Sequence, residues 1–297
     1  MTNHMFRYLL GLFCCLTFVF QEGKAQHSVI NEDLSRQSKY MKGGVKYSVY
    51  LPEGYDSSTR YYPVLYLLHG YTDDDSGWIQ FGEVQHIADQ EIALGSATPM
   101  IIIMPDAGVT WYIDDHKDEF QYSKMLIEEL IPQVEEKFRV RKGKQFRAVA
   151  GLSMGGYGAL HLAMRHTDVF SSCIAFSAAI FTDEEWVNMS SESYNRTFAD
   201  LFGEDLQGDD RMTDHWKSFN PLYIVKSADS VRLNSVDYYI DCGDDDWLST
   251  GNVTLHLNMR EAGIEHEFRM RQGGHEWSYW RSGLVDALTF ITMRFHR

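Results

Sequence analysis

The sequence predicts a single α/β domain with a mostly parallel central sheet and helices on both faces. Short runs of β-branched and aromatic residues alternate along the chain with amphipathic stretches of helical length, which is the pattern of such a sheet. Residues 26–297 contain no Pro-, Gly- or Ser-rich linker and no internal repeat, and α/β folds of this size commonly have one core. We therefore expect one domain over 26–297.

Apolar runs of strand length and stretches of helical periodicity follow one another in order. The predicted strands lie at 45–51, 64–68, 100–104, 146–150, 173–176, 238–242 and 267–270. The predicted helices lie at 84–94, 123–138, 155–165, 252–262 and 284–295. We expect the first strand to pair antiparallel at an edge of the sheet.

The alternation of strands and helices stops between residues 179 and 228. This segment carries many charges together with aromatic side chains that include Trp186 and Tyr194. An insertion of this length and polarity cannot all be core. We predict a small helical cap over the strand ends, where open α/β sheets bind their ligands.

The first 25 residues have the layout of a signal peptide. Arg7 precedes an uncharged apolar run over residues 8–20, and the small residues Gly23 and Ala25 stand just before a cleavage point after residue 25. The run is shorter than the roughly 20 apolar residues of a membrane span. Cys14 follows Phe13 and not the small residue of a lipoprotein signal. We predict export to the periplasm or beyond, without a stable membrane anchor.

The charge indicates which partners are unfavourable, and the cysteine content indicates whether a disulfide can form. The formal net charge is −15, with 42 acidic and 27 basic residues, which makes nucleic acid and anionic membranes poor partners. Only Cys173 and Cys242 lie beyond the predicted cleavage point, at opposite ends of two predicted strands. In neighbouring parallel strands those ends lie about 15 Å apart, beyond the roughly 7 Å limit for a disulfide. We expect two free, buried thiols.

The motif GLSMGG at residues 151–156 indicates a serine nucleophile. It follows the predicted strand 146–150 and precedes the predicted helix 155–165, so Ser153 stands on the strand-to-helix turn of a GxSxG motif. This turn exposes the serine Oγ, and its neighbours must be small for the turn to close. A serine needs a neighbouring base to take its proton.

His275 is the best candidate for that base. It lies in the glycine-flanked loop QGGHEW at residues 272–277, just after the last predicted strand. In this class of hydrolases the order along the chain is serine, acid, histidine. His256 and His266 lie in a predicted helix and at a strand entry, from which an imidazole could not reach the strand ends.

The acid should lie in the loop DCGDDDW at residues 241–247. Asp241 falls inside the predicted strand, so its side chain points to a face of the sheet. Asp244, Asp245 and Asp246 occupy the loop, and one of them should hold the imidazole in the productive tautomer. The pattern alone leaves all three open, beside the simpler interpretation of a solvated turn.

An oxyanion hole needs two backbone N–H groups beside the nucleophile. One should come from Met154, directly after the serine, and the other from Tyr71, in the loop after the strand 64–68. His69 is expected to be structural, because one imidazole base is already assigned. The triplet at 73–75 is expected to be a solvated loop, since its spacing lacks the ligand cage of a calcium site.

Several segments in order resemble the esterase-D-type family. These are YSVYLPEGYD, YYPVLYLLHGY, IIIMPDAG, ELIPQVEEKFRV, RAVAGLSMGGYGAL, YYIDCGDDDW and MRQGGHEWSYW, which cover nearly the whole of 26–297. The resemblance implies an α/β-hydrolase fold and aligns the family's acid with Asp246. The family includes feruloyl, acetylxylan and tributyrin esterases, S-formylglutathione hydrolases and mycolyltransferases. We expect neither a metal nor another cofactor.

The expected function is a secreted serine esterase acting on feruloyl or acetyl esters of plant xylan. Export and an aromatic-rich cap favour such an ester, which can be a small molecule or part of a polysaccharide. Trp186 and Tyr194 in the cap are candidate substrate-binding residues. The alternatives are a general short-chain carboxylesterase, an S-formylglutathione-hydrolase-like thioesterase and an acyltransferase. An inactive fold used only for binding is disfavoured, because serine, acid and histidine all stand where the chemistry needs them.

Overall fold

A computed structural model describes residues 27–295 of the chain. The predicted signal peptide at 1–25 lies outside the described residues. Within 27–295, no helix combines the length and the hydrophobicity that crossing a bilayer requires.

Eight strands form one mixed sheet in the order β1-β2-β4-β3-β5-β6-β7-β8. β2 pairs antiparallel with both β1 and β4, and every pairing from β4 to β8 is parallel. The strands are β1 (Val29–Arg36), β2 (Val45–Leu51), β3 (Val64–Leu68), β4 (Ile101–Pro105), β5 (Arg147–Leu152), β6 (Ser172–Phe176), β7 (Asp237–Gly243) and β8 (His266–Arg271).

The seven predicted strands are confirmed, but the expected edge is wrong. β2 is antiparallel as predicted, yet it lies second from the edge because β1 pairs along its outer side. β1 was not predicted because its sequence VINEDLSR is mostly polar and none of its residues is fully buried. An edge strand with solvent on one side needs little apolar surface, so its hydrophobic pattern is weak.

Helices cover both faces of the sheet. They are α1 (Gly77–Gln80), α2 (Val84–Leu94), α3 (Tyr122–Met125), α4 (Ile131–Lys137), α5 (Met154–Arg165), α6 (Asp183–Asn188), α7 (Ser191–Thr197), α8 (Ala199–Phe202), α9 (Asp214–Phe219), α10 (Pro221–Ser227), α11 (Ser230–Leu233), α12 (Ser249–Glu261) and α13 (Trp277–Phe295). The stretch 123–138, predicted as one helix, is α3 and α4 joined by a π-helical turn at Leu126–Leu130.

The sheet separates two apolar cores, as the alternation of side chains along a strand requires. In β3, Val64, Tyr66 and Leu68 face the core beneath α3 to α5, α12 and the cap. Leu65 and Leu67 face the opposite core, beneath α2 and α13. Both faces are covered, and accordingly β3 and β4 are apolar throughout, as is usual for parallel sheets.

Both cysteines are free and buried, as predicted. Cys173 lies in β6 opposite Tyr238 of β7, while Cys242 lies near the other end of β7. Burial raises the pKa of the Cys242 thiol to about 12. A thiol with such a pKa is protonated at neutral pH and is a poor nucleophile.

The predicted cap is confirmed as a helical insertion. Residues 179–228 connect β6 to the region before β7 and contain α6 to α10. Four of these helices begin with a side-chain cap, in which a side chain accepts a hydrogen bond from a backbone N–H of the first turn. The capping residues are Thr182, Ser190, Thr213 and Asn220. Such caps stabilise short helices that are too short to form alone.

Candidate active site

Ser153 stands on a tight turn between β5 and α5. Its backbone has φ 53° and ψ −117°, a conformation that is strained for a non-glycine residue. A Cβ at residue 151 would come within 2.3 Å of the Gly155 carbonyl oxygen, so only glycine lets the turn close. The Ser153 N–H donates to the Phe176 carbonyl at 2.9 Å, which fixes the turn against β6.

His275 and Asp246 meet Ser153 at the carboxyl ends of the parallel strands. His275 Nε2 lies 3.0 Å from Ser153 Oγ, and His275 Nδ1 lies 3.0 Å from Asp246 Oδ2. Ser153 follows β5, Asp246 follows β7 and His275 follows β8. Because these strands are parallel, their following loops share one edge of the sheet. The structure thus brings the three sequence-predicted residues into one hydrogen-bonded chain.

Asp246 is the only residue of the aspartate run whose carboxylate is placed against His275 in the described structure. It is buried, and its Oδ1 also accepts the Leu248 N–H at 2.9 Å. Burial acts to raise the pKa of Asp246, but hydrogen bonds from His275, Leu248 and Ser177 outweigh burial and lower it. The carboxylate therefore stays ionised beside the imidazole.

The other aspartates of that loop have structural positions. Asp244 Oδ1 accepts the Gly273 N–H at 3.0 Å, which ties the acid loop to the histidine loop, and Asp245 is exposed. Asp241 lies in β7, as predicted, and pairs there with Arg271 of β8 at 2.7 Å. The aspartate run is therefore not merely a solvated turn.

Of the two residues predicted to donate to the oxyanion, Met154 directly follows the serine and Tyr71 lines the same cavity as Ser153. Neither the Tyr71 N–H nor the Met154 N–H donates a hydrogen bond to another described residue. Met154 is the first residue of α5, where N–H groups have no partner within the helix and the helix dipole is positive. A Cβ at Gly155 would come within 2.5 Å of the His69 carbonyl oxygen, so glycine there permits the two loops to approach.

His69 has the structural position expected for it. It is buried, its Nδ1 contacts the Gly70 carbonyl at 2.8 Å, and its Nε2 accepts the Ala107 N–H at 2.8 Å. This pattern requires a neutral ring with the proton on Nδ1, and burial lowers the pKa of His69 accordingly. The ring therefore fixes the loop that carries Tyr71.

The acidic triplet 73–75 is not the solvated loop that the sequence suggested. Asp75 is buried and accepts the Ser48 hydroxyl at 2.6 Å. Asp73 is half-buried and lines the cavity above Ser153, while Asp74 accepts the Ser76 N–H at 2.8 Å. Among residues 27–295, no group of three or more His, Cys, Asp or Glu side chains is arranged to hold a metal ion.

A cavity of about 760 Å³ opens onto Ser153 and His275. Its walls are mainly aromatic and aliphatic, with a few polar groups, as in sites for small organic ligands. The apolar lining residues are Tyr71, Trp111, Leu152, Ala179, Phe181, Met189, Phe198, Trp247, Trp277 and Trp280. Sequence reasoning missed Trp247 and Trp277, although both follow motif residues directly. Trp111 carries no comparable signal.

Trp186 and Tyr194, predicted to bind substrate, lie instead in the core of the cap. Trp186 is 1% exposed, stacks on Trp216 with ring centroids 5.0 Å apart, and donates its indole N–H to the Arg211 carbonyl at 3.0 Å. Tyr194 is fully buried and donates to the Gly203 carbonyl at 3.1 Å. Neither ring lines the cavity at Ser153, because the cap uses them to hold its helices together.

Trp186→Ala is therefore expected to destabilise the protein. Loss of a fully buried tryptophan should lower the free energy of unfolding by about 3–5 kcal/mol. The measurement is urea denaturation. The matched control is Trp247→Ala, because Trp247 is 62% exposed and should change the free energy of unfolding little. Equal stability losses in the two variants would contradict the cap-core assignment.

Comparison with known proteins relates the chain to esterases. The family model described as "Putative esterase" matches residues 38–291. An acetyl esterase of Caldicellulosiruptor saccharolyticus is 26% identical over 236 residues, which cover 77% of this chain and 82% of the relative. An esterase of Mycobacterium tuberculosis is 31% identical over 249 residues, which cover 77% of this chain but only 52% of the relative.

Solved structures agree in fold. A ferulic acid esterase superposes with a TM-score of 0.78 at 34% identity, covering 91% of this chain and 99% of that one. An S-formylglutathione hydrolase from Agrobacterium tumefaciens gives a TM-score of 0.70 at 20% identity, covering 90% of this chain and 95% of that one. The sheet order, the helices on both faces and these superpositions define an α/β-hydrolase fold. The chain belongs to this esterase family and is a carboxylic ester hydrolase.

Proposed function

We propose that the chain hydrolyses esters through an acyl-enzyme formed on Ser153. Ser153 Oγ attacks the ester carbonyl carbon while its proton passes to His275 Nε2, 3.0 Å away. Asp246 holds the imidazole through Nδ1 and stabilises the imidazolium that forms. The Tyr71 and Met154 N–H groups donate to the oxyanion of the tetrahedral intermediate. The alcohol then leaves with the proton from His275, and the acyl group remains on Ser153.

Water completes the cycle by the same route. His275 Nε2 takes a proton from water, the hydroxide oxygen attacks the acyl carbonyl carbon, and the tetrahedral intermediate again carries its negative charge toward the two N–H groups. Collapse returns the proton to Ser153 Oγ and releases the carboxylic acid. An alcohol in place of water would give acyl transfer, so the acceptor decides between hydrolase and transferase.

The preferred substrate in this proposal is a feruloyl or related hydroxycinnamoyl ester of a plant cell-wall polysaccharide. The aromatic cavity above Ser153 is the observation that carries it, because flat rings stack on a planar aryl group. The ferulic acid esterase at 34% identity supports the same class. An acetyl ester is the second candidate, supported by the acetyl esterase relative, although an acetyl group would leave most of the cavity unfilled.

Export is part of the proposal. A polymeric substrate cannot reach an enzyme inside the cell, and the segment at 1–25 has the composition of a signal peptide. The site of action would then be the periplasm or the outside. N-terminal sequencing of protein recovered from the periplasm and the medium tests this point, and an intact N-terminus in the cytosol would contradict it.

The substrate proposal is tested by comparing four substrates with one enzyme preparation. Methyl ferulate should have the highest kcat/KM, ahead of p-nitrophenyl acetate, p-nitrophenyl butyrate and S-formylglutathione. Preference for the butyrate would identify a general short-chain carboxylesterase. Preference for S-formylglutathione would identify a thioesterase and would contradict the cell-wall role.

Trp247→Ala should raise KM for methyl ferulate while leaving p-nitrophenyl acetate nearly unaffected. The Trp247 ring lies 5.4 Å from the His275 ring and 6.4 Å from the Phe181 ring, at the mouth of the cavity. One aromatic contact contributes about 0.5–1.5 kcal/mol beyond burial, or roughly a 2- to 12-fold change in KM. Tyr61→Ala is the control. Tyr61 is also 62% exposed, but it lies just before β3, at the end of the sheet where the parallel strands begin, away from Ser153. Equal losses on both esters would exclude an aryl-binding role for Trp247.

A further inference from the structure

The charged groups in the cavity at Ser153 are of one sign. Apart from His275, the only ionisable charged side chains among its described lining residues are Asp73 and Glu276, with no lysine or arginine. The two acids come from different loops, one after β3 and one after β8. An ester bound at Ser153 therefore meets negative charge from two directions.

Asp73 lies close to the nucleophile without a partner of its own. A Cβ built on Gly70 would lie 3.6 Å from Asp73 Oδ2 and 3.8 Å from Ser153 Cβ. The Asp73 carboxylate and the Ser153 side chain therefore both lie next to Gly70. The Asp73 carboxylate makes no hydrogen bond or ion pair with another residue of 27–295. Burial raises its pKa, consistent with a carboxylate that the fold leaves uncompensated.

Glu276 directly follows His275 and is exposed at the rim of the cavity. The two arginines nearest in sequence pair with other acids: Arg271 with Asp241 at 2.7 Å and Arg281 with Glu83 at 3.6 Å. The exposed Asp245 lies on the adjoining loop, where its N–H donates to the Gly273 carbonyl at 3.0 Å. No described cation neutralises Glu276 across the rim, so its field extends into the cavity.

We infer that this cavity selects esters whose acyl and alcohol parts are both uncharged, and that Asp73 and Glu276 set this selectivity. The inference rests on the proposed ester hydrolysis at Ser153 and defines its substrate class. A carboxylate on the substrate is repelled by both acids, whereas a hydroxyl can donate a charge-assisted hydrogen bond to either of them. Neutral sugar esters fit this site. Thioesters of glutathione, which carries two carboxylates, do not.

Two matched pairs of esters test the inference. The first pair is methyl 4-acetoxybenzoate and 4-acetoxybenzoate, which share the acetyl group and differ by a carboxylate in the leaving group. The second pair is methyl p-nitrophenyl succinate and p-nitrophenyl hydrogen succinate, which differ by a carboxylate in the acyl part. For each pair the measured quantity is the selectivity ratio, kcat/KM of the neutral ester divided by kcat/KM of the anionic ester.

Asp73→Asn and Glu276→Gln should each lower the selectivity ratio of at least one pair by roughly 2- to 30-fold. This range follows from the repulsion of unit charges about 8 Å apart at an effective dielectric constant between roughly 80 and 20. Asp56→Asn is the control. Asp56 is exposed and follows β2 at the end of the sheet where the parallel strands begin, away from Ser153, and its substitution changes the net charge equally. Its ratios should equal those of the parent.

Salt provides a second readout. Raising ionic strength from about 0.01 M to about 0.15 M shortens the Debye length from roughly 30 Å to roughly 8 Å, so the parent's selectivity ratio should fall. Unchanged ratios in both acid variants, or an equal fall in Asp56→Asn, would overturn the inference. If Asp73→Asn fails to fold, the selectivity ratios of Glu276→Gln alone test the inference. A parent that hydrolyses neither neutral ester would instead contradict the proposed function.

Discussion

Ser153→Ala is expected to reduce ester hydrolysis by about 10⁴-fold or more, because no acyl-enzyme can form without Oγ. The fold should be retained. The turn at Ser153 is held by its backbone N–H, which donates to Phe176, and by the close approach of Gly151 and Gly155. The residual rate should come from the oxyanion donors and from substrate binding alone. The measurement is kcat/KM on p-nitrophenyl acetate, together with a urea denaturation curve.

Ser218→Ala serves as the control for this variant. Ser218 is exposed in the cap helix α9 and donates to the His215 carbonyl at 2.7 Å. Its loss should leave hydrolysis at the parent level. A fluorophosphonate probe, mapped by peptide mass spectrometry, should label Ser153 in the parent and no serine in Ser153→Ala. Turnover near the parent rate in that variant, or labelling of a different serine, would refute the acyl-enzyme mechanism.

The strands β2 to β7 could be predicted from sequence because they are mostly buried on both faces of the sheet. In β3 and β4 this burial gives an uninterrupted apolar run, which is bounded by a turn or by an amphipathic helix. β1 lacks this signal because it lies at the edge and its register shifts between Asn31 and Leu34. Its position depends on pairing with β2, which a local pattern does not encode.

The serine and the histidine could be predicted because their motifs reflect local backbone geometry. Ser153 needs small neighbours on a strained turn, and the GxSxG motif meets this requirement with a glycine on each side of the serine. The acid differs, because three consecutive aspartates offer the same chemistry. Which one reaches His275 depends on the path of the loop after β7. The family resemblance, and not the pattern of the aspartate run itself, indicates Asp246.

The residues that line the cavity were the least predictable part of the site. An aromatic residue in the cap serves equally well as core or as cavity wall, and only the packing of the cap helices decides which. Trp186 and Tyr194 are buried among other rings, whereas Phe181 and Phe198 of the same segment reach the cavity. Trp111 comes from a loop far away in sequence, so its role depends on tertiary contacts alone.

Substitution of the three aspartates should change kcat to different extents, because their carboxylates make different contacts with the histidine loop. Asp244 accepts the Gly273 N–H through Oδ1, and an asparagine carbonyl can accept the same bond, so Asp244→Asn should lose less than about 10-fold in kcat. Asp245 is exposed and its side chain makes no described hydrogen bond to His275. Asp245→Asn should therefore stay close to the parent.

Asp246→Asn, by contrast, should lower kcat by about 10²- to 10⁴-fold, because the amide cannot hold His275 in the productive tautomer. Asp246 accepts from His275 Nδ1 at 3.0 Å and is buried, so neither water nor another described carboxylate can replace it there. An asparagine amide also fails to stabilise the imidazolium that forms when Ser153 Oγ loses its proton. The three asparagine variants differ by one carboxylate each within one loop, so a common assay on p-nitrophenyl acetate compares them directly. If Asp244→Asn or Asp245→Asn were the sensitive variant, the acid would be misassigned and the loop would have to rearrange during catalysis.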